Sequence, residues 1–115
     1  MQRGEVRMVD LDPVRGAEAN KRRPVVIVSN EAANSAAARL GRGVLTVVPI
    51  TSSTDRVYPF QVLLPVGAGG LPQDSKAQAE QVRSLDAERI GEQLGRLSDQ
   101  LMTSLDHALR LHLAL

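Results

Sequence analysis

Cysteine is absent from this 115-residue sequence. That excludes a disulfide scaffold and a zinc site with thiolate ligands, and it fits a reducing compartment. Tryptophan is absent too, and the only aromatic residues are Tyr58 and Phe60. Any surface that stacks on nucleic-acid bases must use those two rings or flat guanidinium groups. No apolar run approaches the roughly 20 residues of a membrane-spanning helix. The opening MQRGEVRMVDLDP lacks the apolar centre of a secretion signal, so the expected location is the cytoplasm. Net charge is small, at +1, but its distribution is uneven.

What is present is enough aliphatic residue for one core. Apolar residues make up 43% of the chain, too many for a disordered polypeptide. The length leaves no room for a second core, so residues 1–115 are expected to form one domain. Within residues 15–42, the cations Arg15, Lys21, Arg22, Arg23, Arg39 and Arg42 face only Glu18 and Glu31, a local balance of +4. Twelve of the fourteen cations in the chain are Arg, whose planar fork suits phosphate oxygens. A GC-rich genome would raise the total Arg count but would not cluster it. Lys21-Arg22-Arg23 press directly against the apolar run Pro24–Val28. An ordinary turn does not need that much charge, whereas a phosphate site does.

Hydrophobic patterning gives the elements. Glu5–Asp10 alternates polar and apolar and reads as a half-buried strand ending at Asp12-Pro13. Residues 13–22 read as a loop. Pro24–Val28 reads as a strand buried on both faces, with Pro24 at its first residue, where a missing N–H does least harm. Asn30 is placed as an N-cap for an alanine-rich helix over 31–40, which Gly41 stops. Val44–Ile50 and Phe60–Leu64 read as strands, separated by a polar loop at Thr51–Asp55. Gly67–Pro72 reads as a flexible turn, and residues 76–85 as a fifth strand. Ser98 caps a last helix, whose Leu101, Leu105 and Leu109 make an apolar stripe. Several short strands with a terminal helix predict an α+β, mainly β fold: a small, strongly curved antiparallel sheet or barrel with helices attached.

Most chemical motifs dissolve on inspection. Gly67-Ala68-Gly69-Gly70 lacks both the dinucleotide spacing and the Gly-Lys-Ser/Thr ending, and reads as a hairpin loop. His107 and His112 lie about 140° apart around a helix, so they cannot share a metal and read as a surface and a boundary residue. Asp10 and Asp12 have no third acidic partner, so no metal is expected. Arg23-Pro24 is more telling. Proline holds the preceding residue extended, which aims Arg23 off the start of a rigid strand. The ordinary alternative is a surface Arg paired with Glu18. Thr51, with Ser52 and Ser53, puts hydroxyls at another strand end, where they suit either a phosphate or a common turn.

In order and spacing the chain resembles the MazF/PemK family of toxin endoribonucleases over nearly its whole length. The matching pieces are Arg3–Val6, Val9–Pro13, Gly16–Glu18, Arg23–Asn30, Val48–Ser52, Tyr58–Phe60 and Glu80–Asp86. The resemblance implies an SH3-like small barrel of antiparallel strands with a short internal helix and a C-terminal helix. It also implies a homodimer and metal-free cleavage of single-stranded RNA through the 2′-OH, leaving 2′,3′-cyclic phosphate and 5′-OH ends. Its Arg-Pro and Pro-x-Thr steps imply that Arg23 and Thr51 carry the chemistry. Glu18 joins them as a base or as an orienting group. Glu80 and Gln81 match a pair that contacts RNA bases in some members. A branch of the family has a catalytic Arg, with an Asp two residues on, where Gln78 and Glu80 stand here, so mechanisms that use that second Arg do not transfer. The expected RNA-binding set is Lys21, Arg22, Ser52, Ser53, Tyr58, Phe60, Gln78, Glu80 and Gln81. The expected regulator is an antitoxin with an acidic C-terminal tail. The competing class is a non-catalytic nucleic-acid-binding module on the same fold or a gyrase-binding toxin of the CcdB type. The latter engages its target through an aromatic C-terminus, whereas this chain ends Leu111-His112-Leu113-Ala114-Leu115.

Overall fold

The structure is a computed structural model that describes residues 1–10 and 22–115. Seven strands make one antiparallel sheet: β1 (Glu5–Asp10), β2 (Arg22–Ile27), β3 (Val44–Thr51), β4 (Gln61–Leu64), β5 (Ser75–Gln78), β6 (Arg83–Asp86) and β7 (Ile90–Arg96). Two helices, α1 (Glu31–Leu40) and α2 (Asp99–Leu113), accompany it. The strand order is β4-β5-β3-β2-β1-β7, with β6 also paired to β3. This is the expected mainly-β fold with one internal and one C-terminal helix. Among the described residues no ladder joins β4 to β7, so the barrel is not closed. On that side α2 packs against β4.

The two central strands are apolar on both faces because each face has its own core. Val26, Val48 and Ile50 turn toward a cluster that includes Val6, Leu64, Ala77, Met102, Leu105 and Ala108. Val25, Ile27, Leu45 and Val47 turn the other way, toward Val9, Ala37 of α1, Leu85 and Ala87. This is the period-2 alternation of a strand sandwiched between two layers. Both cores are built from aliphatic side chains and Met; neither aromatic residue belongs to them. Asn30 and Ser98 cap the helices as expected, accepting from Ala33 N at 2.9 Å and Leu101 N at 3.2 Å. Along α2 the fully buried positions are Met102, Leu105 and Ala108, with Leu101 and Leu109 half-buried beside them. Both histidines of α2 are exposed, His112 as well as His107.

Three expectations need correction. The strand expected over 76–85 is two strands, β5 and β6, broken by a 3-10 turn at Ala79–Gln81. Between the Val47–Arg83 and Ile50–Ala77 pairs, β3 has two residues and the facing chain has five. The surplus is taken up in the turn, which drops Ala79 into the core. Second, β7 was not foreseen. Third, the Gly67–Pro72 segment does connect the paired strands β4 and β5, but it is packed rather than free. A Cβ on Gly70 would strike the Leu94 carbonyl, and one on Gly95 would strike the Gly69 backbone. Glycine on both sides lets this turn lie against β7.

β1 meets β7 through an irregular register, with shifts at Val6/Arg7 and Arg7/Val9. Side chains compensate there. Arg7 donates to Glu5 Oε1 from Nε at 2.9 Å and Nη2 at 2.7 Å, and its Nη1 donates to Gly91 O at 3.0 Å. Gln2 N donates to Glu5 Oε2 at 2.9 Å. Burial by itself would raise the Glu5 carboxyl's pKa. The Arg7 and Gln2 hydrogen bonds and the positive N-terminus outweigh it and hold the group below its ordinary 4.5. Arg3 pairs with Asp106 of α2 and donates from Nε to Val28 O at 2.9 Å, tying the N-terminal segment to both helix and sheet.

Glu5→Gln should therefore cost about 1–3 kcal/mol of unfolding free energy near neutral pH, the scale of hydrogen bonds to a charged group. The ionised carboxyl's contribution is present above its ordinary pKa of 4.5 and is lost as the pH falls through the lower folded-state value. Urea unfolding of both proteins should show the gap narrowing in acid. A gap that widens on acidification contradicts the network.

Candidate functional site

β2 and β3 pair only as far as Val25–Pro49, whereas β2 stays paired with β1 down to Arg22–Asp10. Pro24, next along β2 and aligned with Ile50, has no N–H to donate across the ladder. Past that point β2 and β3 are unpaired with each other, and a cleft of about 750 Å³ opens. Its apolar floor is Met8, Pro24, Ile50, Leu71 and Leu94. Its polar rim is Arg22, Arg23, Thr51, Ser52, Gln73, Ser75 and Glu92. Pro24 is thus the third residue of β2, not the first as expected. Its place is tolerated because the ladder with β3 has ended beside it.

The register explains why Arg23 and Thr51 come together. Antiparallel partners share a sheet face. Continuing the Val25–Pro49 alignment two residues outward sets Arg23 across from Thr51, and both line the cleft. Arg23 is half-buried, and its side chain makes no hydrogen bond or ion pair among the described residues. Its fork is open to an anion. Arg22 is exposed and stands 4.0 Å from Asp10, a surface pairing that contributes little. Thr51 Oγ1 accepts from Ser53 N at 3.3 Å, which leaves its own hydroxyl hydrogen available to donate. A charged fork and a neutral hydroxyl on facing strand ends suit an oxyanion. Glu92 is the one carboxylate on the rim among the described residues. No three His, Asp or Glu side chains among the described residues converge in the way a metal would require.

Other expected site residues lie elsewhere. Tyr58 and Phe60 stack on the loop after β3, with centroids 5.3 Å apart and planes within 4°. The Arg56 guanidinium lies 5.1 Å from the Tyr58 ring. This stack is on the surface, with Tyr58 40% exposed, and does not line the cleft. Ser53, Gln78, Glu80 and Gln81 do not line it either. Glu80 accepts from Gln61 Nε2 at 2.6 Å, and its other oxygen is buried without a partner. Glu18 and Lys21 lie outside the described residues. The sequence reading missed Gln73, Ser75 and Glu92. The first two follow the Gly67–Pro72 turn, and Glu92 sits in the unforeseen β7; no local signal marks any of them.

The whole-chain comparisons agree with this geometry. Residues 2–113 match the model of the "PemK-like, MazF-like toxin of type II toxin-antitoxin system" family. The chain is similar to the endoribonuclease MazF9 of Mycobacterium tuberculosis, at 58% identity over 115 residues, covering 100% of this chain and 98% of the relative. Among solved structures it resembles MazF in a MazE–MazF crystal structure from Deinococcus radiodurans, with a TM-score of 0.80 and 27% identity, over 100% of this chain and 96% of that one. It also resembles a mycobacterial endoribonuclease solved with its cognate antitoxin, with a TM-score of 0.78 and 26% identity, over 100% of this chain and 96% of that one. The chain belongs to the PemK/MazF family of toxins. Its enzyme class is endoribonuclease.

The Arg23 side chain has no partner among the described residues, so Arg23→Ala should change unfolding free energy by no more than about 0.5 kcal/mol, as for an ordinary surface substitution. Urea denaturation checks this. A loss of several kcal/mol would mean that Arg23 is structural.

Proposed function

We propose that this protein acts as one toxin domain that cleaves single-stranded RNA at a specific sequence, without a metal, using the RNA's own 2′-OH. The observation that carries the reading is the convergence on one cleft of Thr51 and of Arg23, whose side chain has no partner among the described residues. In-line attack by the 2′-OH builds extra negative charge on the non-bridging oxygens. Arg23 offers that charge a bidentate donor and Thr51 a neutral one, the arrangement that stabilises an oxyanion. Arg23 stays protonated and cannot be the base. Glu18 is proposed either to take the 2′-OH proton or to orient Arg23. The products are a 2′,3′-cyclic phosphate and a 5′-OH.

RNA flanking the scissile phosphate would run past Lys21, Arg22, Ser52 and Ser53, with Tyr58 and Phe60 as stacking surface. Gln78, Glu80 and Gln81 are proposed to meet RNA bases, as the family resemblance suggests. The working unit is a homodimer in the cytoplasm. In support, Leu111, Leu113 and Leu115 are exposed at the end of α2, and no helix among the described residues is long and apolar enough to cross a membrane. Two of the structural relatives are complexes with an antitoxin. The partner proposed here is an antitoxin whose acidic, extended tail occupies the same cationic cleft.

Arg23→Ala should slow RNA cleavage on the order of 10²-fold or more, the cost of losing one charge-stabilising donor, and Thr51→Ala should also be severe. Single-turnover assays on the folded variants decide. Near-native rates with Arg23→Ala would remove Arg23 from the mechanism. The tail proposal has a separate check. The C-terminal peptide of the antitoxin encoded beside this gene should compete with RNA, and both should bind more weakly as salt rises. Tight peptide binding that leaves cleavage unchanged at every RNA concentration rules out a shared cleft.

A further inference from the structure

We propose that Lys76 is a positioning residue of the RNA site: it pins the loop after Thr51, and with it the Arg56–Tyr58–Phe60 stack. The inference rests on the RNA-cleavage reading above. It begins with topology. β5 lies between β3 and β4 in the sheet, yet β4 follows β3 in sequence. β3 leaves at the Ser75 end of β5 and β4 begins at its Gln78 end, so residues 52–60 must cross a face of β5. Lys76 stands at that crossing, opposite Thr51 on one side and Leu63 on the other. Its side chain shares a sheet face with that of Thr51.

Lys76 is only 8% exposed and makes no ion pair among the described residues. Burying an ammonium group is costly unless something compensates it. The group on hand is a main-chain carbonyl: Nζ donates to Arg56 O at 2.6 Å. Among the described residues this is the one hydrogen bond from residues 52–57 to another strand. Arg56 is also the first member of the stack, since its guanidinium lies over Tyr58. The middle of the stack is held separately, by Tyr58 N donating to Gln61 Oε1 at 3.1 Å. Lys76 thus ties the stretch between the Thr51 hydroxyl and the rings to β5. Lys76 does not line the cleft, so its effect on RNA passes through the loop.

Tyr58 is the only tyrosine and there is no tryptophan, so intrinsic emission reports on this loop alone. Lys76→Met keeps the stem and removes the charge, a change that a buried site tolerates. In the RNA-free protein it should raise acrylamide quenching of Tyr58. With RNA it should raise KM on the order of 10-fold through lost pre-organisation, with kcat changed little. Lys76→Arg, which can still reach a carbonyl, should restore both quantities and keeps the test alive if the Met variant does not fold. Native-like quenching in Lys76→Met would overturn the pin whatever the RNA result. A fall in kcat at unchanged KM, or a loss of about one unit of salt slope with native quenching, would instead make Lys76 a direct contact and overturn the positioning role. A native protein that cleaves no RNA would end the nuclease reading and the proposal with it, while the quenching still reports whether the pin exists.

Discussion

The β2–β3 ladder stops where Pro24 has no N–H to give Ile50. The site depends on that stop. Were pairing to continue, the space between Pro24 and Ile50 would be filled by main-chain hydrogen bonds and no cleft would form. Because it stops, two strand ends project Arg23 and Thr51 from a sheet that is buried on both faces just behind them. The rigidity of that double core is what lets two side chains hold a fixed spacing at its edge. Proline here shapes a site by withholding hydrogen bonds, which differs from its usual role of ending an element.

Charge is handled in contrasting ways around the same sheet. Glu5 and Arg7 neutralise each other where β1 and β7 meet irregularly, and Arg3 and Asp106 clamp α2. Those pairs hold the fold. At the cleft the Arg23 side chain has no partner among the described residues, and Lys76 is buried against a carbonyl. The aromatic residues follow the same division: the core is aliphatic, and the only two rings are stacked at the surface.

Much of this was legible in the sequence, for identifiable reasons. Strong alternation marks β1, β-branched runs mark β2 and β3, and side-chain caps mark both helices. Arg23 and Thr51 stand out because each borders a proline-containing core strand. What could not be read depends on tertiary packing. β7 carries Gly91 and Gly95, which a close approach requires: Gly91 faces the Met8 carbonyl and Gly95 the Gly69–Gly70 turn. The break between β5 and β6 follows from register against β3. Gln73, Ser75 and Glu92 reach the cleft only once those elements are in place, and Lys76 shows its role only when the loop crosses β5.

The central claim is that Arg23 and Thr51 act on a phosphate attacked by the RNA's own 2′-OH. Mass spectrometry of RNA cut by the pure protein in excess EDTA tests it most directly. The account predicts undiminished cleavage, 2′,3′-cyclic phosphate and 5′-OH ends, and resistance of an RNA with 2′-deoxyribose at the scissile nucleotide. Ends bearing 5′-phosphate and 3′-OH, or activity lost on chelation and restored by magnesium, would contradict it.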